Sequence, residues 1–173
     1  MEIMKRLLNT HSVNGRVDWI GFANAPRGPV VSQSSATLIQ GSGVEGDHHC
    51  RPGRGSKRQV TLIQAEHLSV VMTLLDGIDV SPEQLRRNIV VSGINLASLR
   101  HQRFRIGTAT LRGSGGCPPC SRMEENLGVG GYAAMLGHGG ITAIVEESGT
   151  FSLGDAVEPL GYTGLAGVEG EDC

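Results

Sequence analysis

The sequence predicts a mainly β fold: a β-barrel with two or three short helices set across its ends. Glycine is abundant, 26 of 173 residues, and aromatics make up only 3%. That combination favours many turns and short strands over long helices. Valine, isoleucine and leucine recur in short runs throughout, so the chain has the material for a core. Strands outnumber helices along the chain with no regular β-α-β alternation, which points to a barrel rather than a doubly wound sheet.

The elements follow in order. Arg16–Ala23 reads as a first strand, closed by a Pro-Arg-Gly-Pro turn at Pro26–Pro29, and Ala36–Ile39 as a second. A long polar, glycine-rich stretch follows over Gly41–Lys57, and loops of that length are usually functional or mobile. Gln59–Ile63 is β-branched and short, hence a strand. In Gln64–Leu75, Leu68, Val71, Met72 and Leu75 fall at helical spacing and form one apolar face, which Asp76-Gly77 ends. Ser81-Pro82-Glu83-Gln84 combines an N-cap serine, a proline at the first helical position and a glutamine that closes a capping box. That helix is brief, because Arg87-Asn88 leads straight into the strand Ile89–Val91. Phe104–Ile106 and Ala109–Leu111 flank Gly107, where the apolar phase slips by one, predicting a bulge or tight bend. Ser121–Leu127 reads as a helix, Tyr132–Leu136 as a short segment between glycine clusters, and Ile141–Val145 as a strand. Ser148-Gly149 predicts a turn, and Gly154-Asp155 a second before a last strand, Ala156–Glu158.

Length and charge set further bounds. A chain of 173 residues predicts one domain over 1–173, with a core at about 17–159 and a flexible, glycine-rich and acidic tail over 160–173. The formal net charge of −2 provides no basic stripe for nucleic acid or an anionic membrane, and neither is expected as a partner. The apolar run at Met1–Asn9 is too short for a secretory signal, and no stretch approaches a bilayer span. A cytoplasmic location is the expectation, with Cys50, Cys117, Cys120 and Cys173 reduced. No flavin, haem or iron–sulfur ligand set is visible, so any multi-electron reduction needs a partner.

One stretch suggests chemistry by itself: Gly113-Ser114-Gly115-Gly116-Cys117-Pro118-Pro119-Cys120-Ser121-Arg122. It joins a strand to a helix, and its glycines let the backbone approach a ligand closely. Cys120 sits where the helix begins with Arg122 two residues on, a setting that favours thiolate. The bland alternative is a turn with two incidental cysteines. A thioredoxin-like fold would place its Cys-x-x-Cys near the chain start, whereas this one comes late.

Seven landmarks in order extend the pattern: Gly43–His48, Arg58–Ile63, Arg86–Val91, Phe104–Gly107, Cys117–Cys120, Gly139–Ile141 and Gly154-Asp155. The ordered set resembles the MOSC domain, the family named after the C-terminal domain of molybdenum cofactor sulfurase, and covers roughly Val17 to Pro159. The resemblance implies a β-barrel whose open end receives a molybdopterin-type molybdenum cofactor or a sulfur atom. It implies that Cys120, the later cysteine of the pair, ligates the metal or carries sulfur, with Cys117 more dispensable. It also implies, from larger amidoxime-reducing relatives, pterin contacts at Arg86 and Asn88. Those relatives have an additional N-terminal barrel that supplies phosphate contacts, for which this chain has no room.

These residues leave alternatives open. Cys120 provides soft thiolate to a dithiolene-held molybdenum in the reduction of N-hydroxylated compounds, with a separate electron donor protein. Otherwise it holds a persulfide received from a sulfur donor protein, or is a buried structural thiol. No pyridoxal phosphate is involved in either role. Cys117 resolves a persulfide or sulfenate on Cys120, or is structural. A thiol–disulfide redox protein using Cys117 and Cys120 is the alternative enzyme, and a non-catalytic cofactor-binding module the alternative outside catalysis. Arg86, Arg87 and Asn88 suit an anionic, hydrogen-bond-rich pterin, or form a solvated helix end. Lys57 and Arg58 are the next candidates for the cofactor phosphate, or plain surface charge. Asp47-His48-His49-Cys50 invites a zinc reading with Cys117 and Cys120. Adjacent histidines do not readily chelate one metal, however, and no zinc is expected. His48 or His49 can instead serve as a general acid near the cofactor. His138 is ambiguous in the same way. Oligomeric state is not legible.

Overall fold

The structure, a computed structural model, describes residues 2–53 and 55–161. Cys173 and the expected tail from residue 162 onward lie outside the described residues.

Eleven strands, five short α-helices and a 3-10 turn at Leu96–Leu99 follow one another along the described chain. Seven strands close into a barrel: β1 (Gly15–Phe22), β6 (Ile89–Ser92), β5 (Val60–Gln64), β9 (Ile141–Glu147), β8 (Ala109–Gly116), β7 (Arg103–Ile106) and β11 (Ala156–Gly161), which returns to β1. β2 (Val31–Gln33) extends one edge of β1, and β10 (Gly149–Ser152), β3 (Ser35–Ile39) and β4 (Gly43–Val44) form a separate small sheet. One edge of β1 is shared. Gly15 and Arg16 pair with β11, and Ile20–Phe22 pair with β2. Every neighbour in the barrel is antiparallel except β5 and β6. That parallel pair requires a crossover, and α2 (Ala65–Leu74) and α3 (Pro82–Leu85) provide it.

The alternation along β5 and β6 builds two cores. Val60, Leu62, Ile89 and Val91 face the barrel interior beside Phe104, Leu111 and Phe151. Ile63 and Val90 point outward into a second cluster with Val71, Leu75, Leu85, Met123, Leu127 and Met135. The helical layer thus covers the outer wall of the parallel pair with α2, α3, α4 (Ser121–Leu127) and α5 (Gly131–Met135). The predicted apolar face of the first long helix is where it was expected. Val71 and Leu75 are buried, and Leu68 and Met72 pack against the cluster.

The structure corrects several details. The expected two or three helices become five, because α5 takes the Tyr132–Leu136 segment and α1 (Glu2–Leu8), which buries no residue, forms at the N-terminus. The last strand runs to Gly161 rather than Glu158, with Gly161 opposite Arg103. The turn expected at Ser148-Gly149 opens directly into β10, which pairs with β3 from Gly149 to Ser152. Gly107 makes a tight β7–β8 turn, with Ile106 paired to Ala109. Its φ is +57°, and a side chain there would run into the backbone of Thr150, so glycine is required twice over. The phase slip itself is a β8 irregularity at Thr110/Leu111.

Candidate functional site

Four segments converge on a cleft of about 450 Å³ at one end of the barrel. They are the end of β1 (Gly21, Phe22, Ala23), the loop after β4 (Asp47, His48, His49), the start of β5 (Arg58, Gln59, Thr61) and the α3–β6 junction (Arg86, Arg87, Asn88). Cys120 completes the lining.

The junction is built by a sharp stop. Gln84 returns to the start of α3, accepting the Ser81 N–H at 2.9 Å. Arg86 then takes a left-handed conformation, φ +53°, which ends the helix after one turn and swings the chain into β6. Its side chain donates to the Gly28 carbonyl at 2.9 Å. Burial, followed by the nearby Arg122 charge, lowers its pKa, against Asp47 and Cys120, which raise it. A guanidinium stays protonated regardless. Arg87 is buried, and its donors go to main-chain carbonyls: Gly139 and Leu85 at 2.9 Å each and Cys117 at 3.5 Å. Asn88 is buried too. Its Oδ1 accepts from the N–H and hydroxyl of Thr61 at 3.0 and 3.1 Å, and its Nδ2 donates to Asp47 Oδ2 at 2.9 Å and to the Gly21 carbonyl at 3.4 Å.

Across the cleft, Asp47 closes a turn. Its Oδ1 accepts the His49 main-chain N–H at 2.7 Å and lies 3.1 Å from His49 Nδ1. Burial pushes the Asp47 pKa up, but hydrogen bonds from His49 and Asn88 outweigh it and hold the carboxyl below its ordinary value. His48 Nδ1 is 2.9 Å from the Ala23 carbonyl, and its ring lies 3.7 Å from that of His49, tilted by 42°. Cys50, just beyond, has its thiol pKa raised by burial and then by the charges of Asp47 and Glu45.

The two cysteines of the Cys-x-x-Cys stretch have opposite surroundings. Cys120 is the N-cap of α4 and is exposed; its side chain makes no capping bond. Cys117 is 2% exposed. Its main chain is held on both sides, since its N–H donates to Gly140 O at 2.9 Å and its carbonyl receives Arg87. Its sulfur accepts from Arg58 Nη2 at 3.6 Å. Gly139 and Gly140 allow this approach, because a side chain at either would collide with the carbonyl of Cys117 or Leu62. Both thiols are free.

Of the candidates read from sequence, the cleft gathers Cys120, Arg86, Arg87, Asn88, Arg58 and His48. It does not take in Cys117 or Lys57. Lys57 is exposed, and its carbonyl accepts the Ser114 hydroxyl. Sequence reasoning missed Thr61 and the structural part played by Asp47. A threonine inside the apolar run Val60–Ile63 is the signal for the first. The second has none, since its partner Asn88 lies 41 residues away. His138 stands apart from the cleft, edge-on to His67 at 5.2 Å.

A closed β-barrel carrying an exposed thiol beside an arginine-lined cleft defines a class. The chain belongs to the MOSC domain family, whose model matches residues 45–158. Solved structures of the same fold include the YuaD protein of Bacillus subtilis, 22% identical with a TM-score of 0.74, covering 87% of this chain and 98% of that one. YiiM from Escherichia coli is 18% identical with a TM-score of 0.66, covering 86% and 71%. YiiM from Geobacillus stearothermophilus is 15% identical at 0.65, covering 84% and 75%. No curated protein matches the chain.

Proposed function

We propose that this chain binds a molybdopterin-type molybdenum cofactor through Cys120 and reduces N-hydroxylated compounds with electrons from a separate donor protein. The observation that carries this is the exposed Cys120 thiol in a cleft lined by three arginines and one carboxylate. The donor set fits the group: a soft thiolate for the metal and guanidiniums for its phosphate. When bound, the cofactor supplies oxygen-atom transfer at molybdenum.

The chain's own residues divide the remaining work. Cys120 fixes the cofactor from the α4 side. Arg86 and Arg58 are the groups with guanidinium donors to turn toward a phosphate. Arg87 and Asn88 are held in protein hydrogen bonds, and shape the cleft. Converting R–NHOH to R–NH2 and water takes two electrons and two protons. Imidazole nitrogens both donate and accept protons, and two imidazoles line the cleft. His48, with Nδ1 directed at Ala23 O, keeps Nε2 for proton exchange. The reading places the chain in the cytoplasm, where Cys120 stays reduced. Among the described residues no helix is long and apolar enough to cross a membrane.

The exposure of Cys120 also favours a second reading, in which it carries a persulfide from a sulfur donor protein and presents the outer sulfur to an acceptor. A Cys117–Cys120 dithiol is disfavoured by the burial of Cys117. The test is anaerobic purification with molybdenum, pterin and cyanide-labile sulfur measured for wild type, Cys120→Ser and Cys117→Ser. Stoichiometric molybdenum with pterin, lost only in Cys120→Ser, supports the reductase. Labile sulfur without metal, lost in the same variant, supports the carrier. Wild-type cofactor content in Cys120→Ser leaves a binding module that does not use the thiol.

A further inference from the structure

Three adjacent residues on the loop after β4 bring ligand-type atoms close together. One ligand atom each from Asp47, His48 and His49 lies within 4.8 Å of the other two. The rings of His48 and His49 lie side by side, centroids 3.7 Å apart and tilted by 42°, so being adjacent in sequence does not hold these two imidazoles apart. Asp47 Oδ1 is 3.1 Å from His49 Nδ1 and 3.5 Å from His48 Nδ1. Metal–ligand bonds of about 2.1 Å put neighbouring ligand atoms about 3.0 Å apart at a right angle and about 3.4 Å at the tetrahedral angle. Both Nδ1 atoms now donate hydrogen bonds, His49 to Asp47 Oδ1 and His48 to the Ala23 carbonyl, and a cation at these spacings would take the place of the two protons.

The surroundings agree. Asn88 Nδ2 ties Asp47 Oδ2 at 2.9 Å, which fixes the carboxylate plane and leaves Oδ1 as the presented oxygen. Such support around a ligand orients it for the metal. Oδ1 accepts the His49 main-chain N–H and the His49 Nδ1–H, and a cation would displace the second of these protons while the first stays. The Ala23 carbonyl, 2.9 Å from His48 Nδ1, is within reach as a fourth donor.

We propose that Asp47, His48 and His49 form a two-histidine, one-carboxylate site for a borderline first-row divalent cation, with its open positions toward the cleft. The donor set selects cobalt, nickel, zinc or ferrous iron over calcium and magnesium, which take oxygen. Because Arg58, Arg86 and Arg87 line the same cleft, an anion completes the coordination. The site shares His48, Arg58 and Arg86 with the molybdenum reading but not Cys120, so cobalt binding to the metal-free chain tests it separately from molybdenum content.

The test is titration of the metal-free full-length chain with cobalt(II), followed by visible d–d absorption. One cobalt per chain is expected to bind saturably, without a sulfur-to-cobalt charge-transfer band. His49→Ala is expected to lose at least about tenfold in affinity, and Asn88→Ala about ten- to a hundredfold. The His49 side chain is 71% exposed, so its removal leaves folding intact, which circular dichroism checks. Absence of saturable binding, or unchanged affinity in His49→Ala, overturns the proposal. So does a sulfur-to-cobalt band that vanishes in Cys120→Ser, because the metal then sits on the thiolate.

Discussion

The Asn88 carboxamide joins the two walls of the cleft. Its nitrogen donates to Asp47 Oδ2 at 2.9 Å, and its oxygen accepts twice from Thr61. One side chain thereby fixes the β5–β6 register and the position of the loop after β4. Asn88→Ala leaves a largely buried carboxylate oxygen without its donor and the half-buried Thr61 without its acceptor. Hydrogen bonds to charged groups contribute about 1.5–3 kcal/mol each, so urea denaturation should show a loss of at least about 2 kcal/mol. Asn88→Asp, which sets a second carboxylate against Asp47, should lose more at neutral pH than at pH 4.

The depressed pKa of Asp47 makes stability depend on acid. The unfolded chain binds a proton to this group at a higher pH than the folded chain does, so stability rises with pH through this range. Asp47 stabilises fully above its ordinary value of 3.8, and its contribution disappears as pH falls through the lower folded value. Thermal melts from pH 6 to 2.5 should show wild type losing stability more steeply below pH 4 than Asp47→Asn. Parallel slopes would remove Asp47 as the source.

Arg87 acts as a strut. Arg87→Met keeps the bulk of the side chain but strips the donors from the carbonyls of Gly139, Leu85 and Cys117. An orphaned buried acceptor costs about 1–3 kcal/mol, and the fall in stability should exceed about 2 kcal/mol. Alkylation of Cys117 should also quicken, because its loop loses one of its two main-chain anchors.

The thiols should react in the order of their surroundings. Under native conditions iodoacetamide should label Cys120 first, Cys50 slowly and Cys117 only on unfolding, as read by peptide mass spectrometry. The raised pKa of Cys50 works against its thiolate as well. Labelling of Cys117 at the Cys120 rate would contradict its burial.

Much of the barrel was legible in short β-branched runs. The strands at Arg16–Ala23, Gln59–Ile63 and Ile89–Val91 depend on local alternation, which a sequence displays. β2 and β4 were not legible, since three- and two-residue strands exist only through their partners β1 and β3. Cys120 and Arg86 could be singled out because each sits at a helix boundary marked by proline, serine or glycine. The roles of Arg87 and Asn88 could not be, because a strut and a cleft-spanning amide are defined by acceptors 52 and 41 residues away. The Asp47 turn hid its geometry for a similar reason, since nothing in the letters Asp-His-His tells how the two rings tilt.

The seam between β1 and β11 bears on how the molecule is made. Gly15 and Arg16 find their barrel partners in Val157 and Ala156, near the far end of the described chain. During synthesis this edge of β1 waits, uncovered, until β11 has left the ribosome, while β2 already guards its other half. The cylinder therefore shuts late, after the cleft's own segments, all between Gly21 and Cys120, have emerged. Pairing over so long a span makes folding slow, and a nascent chain at this stage offers one unpaired strand edge for chaperones to shield.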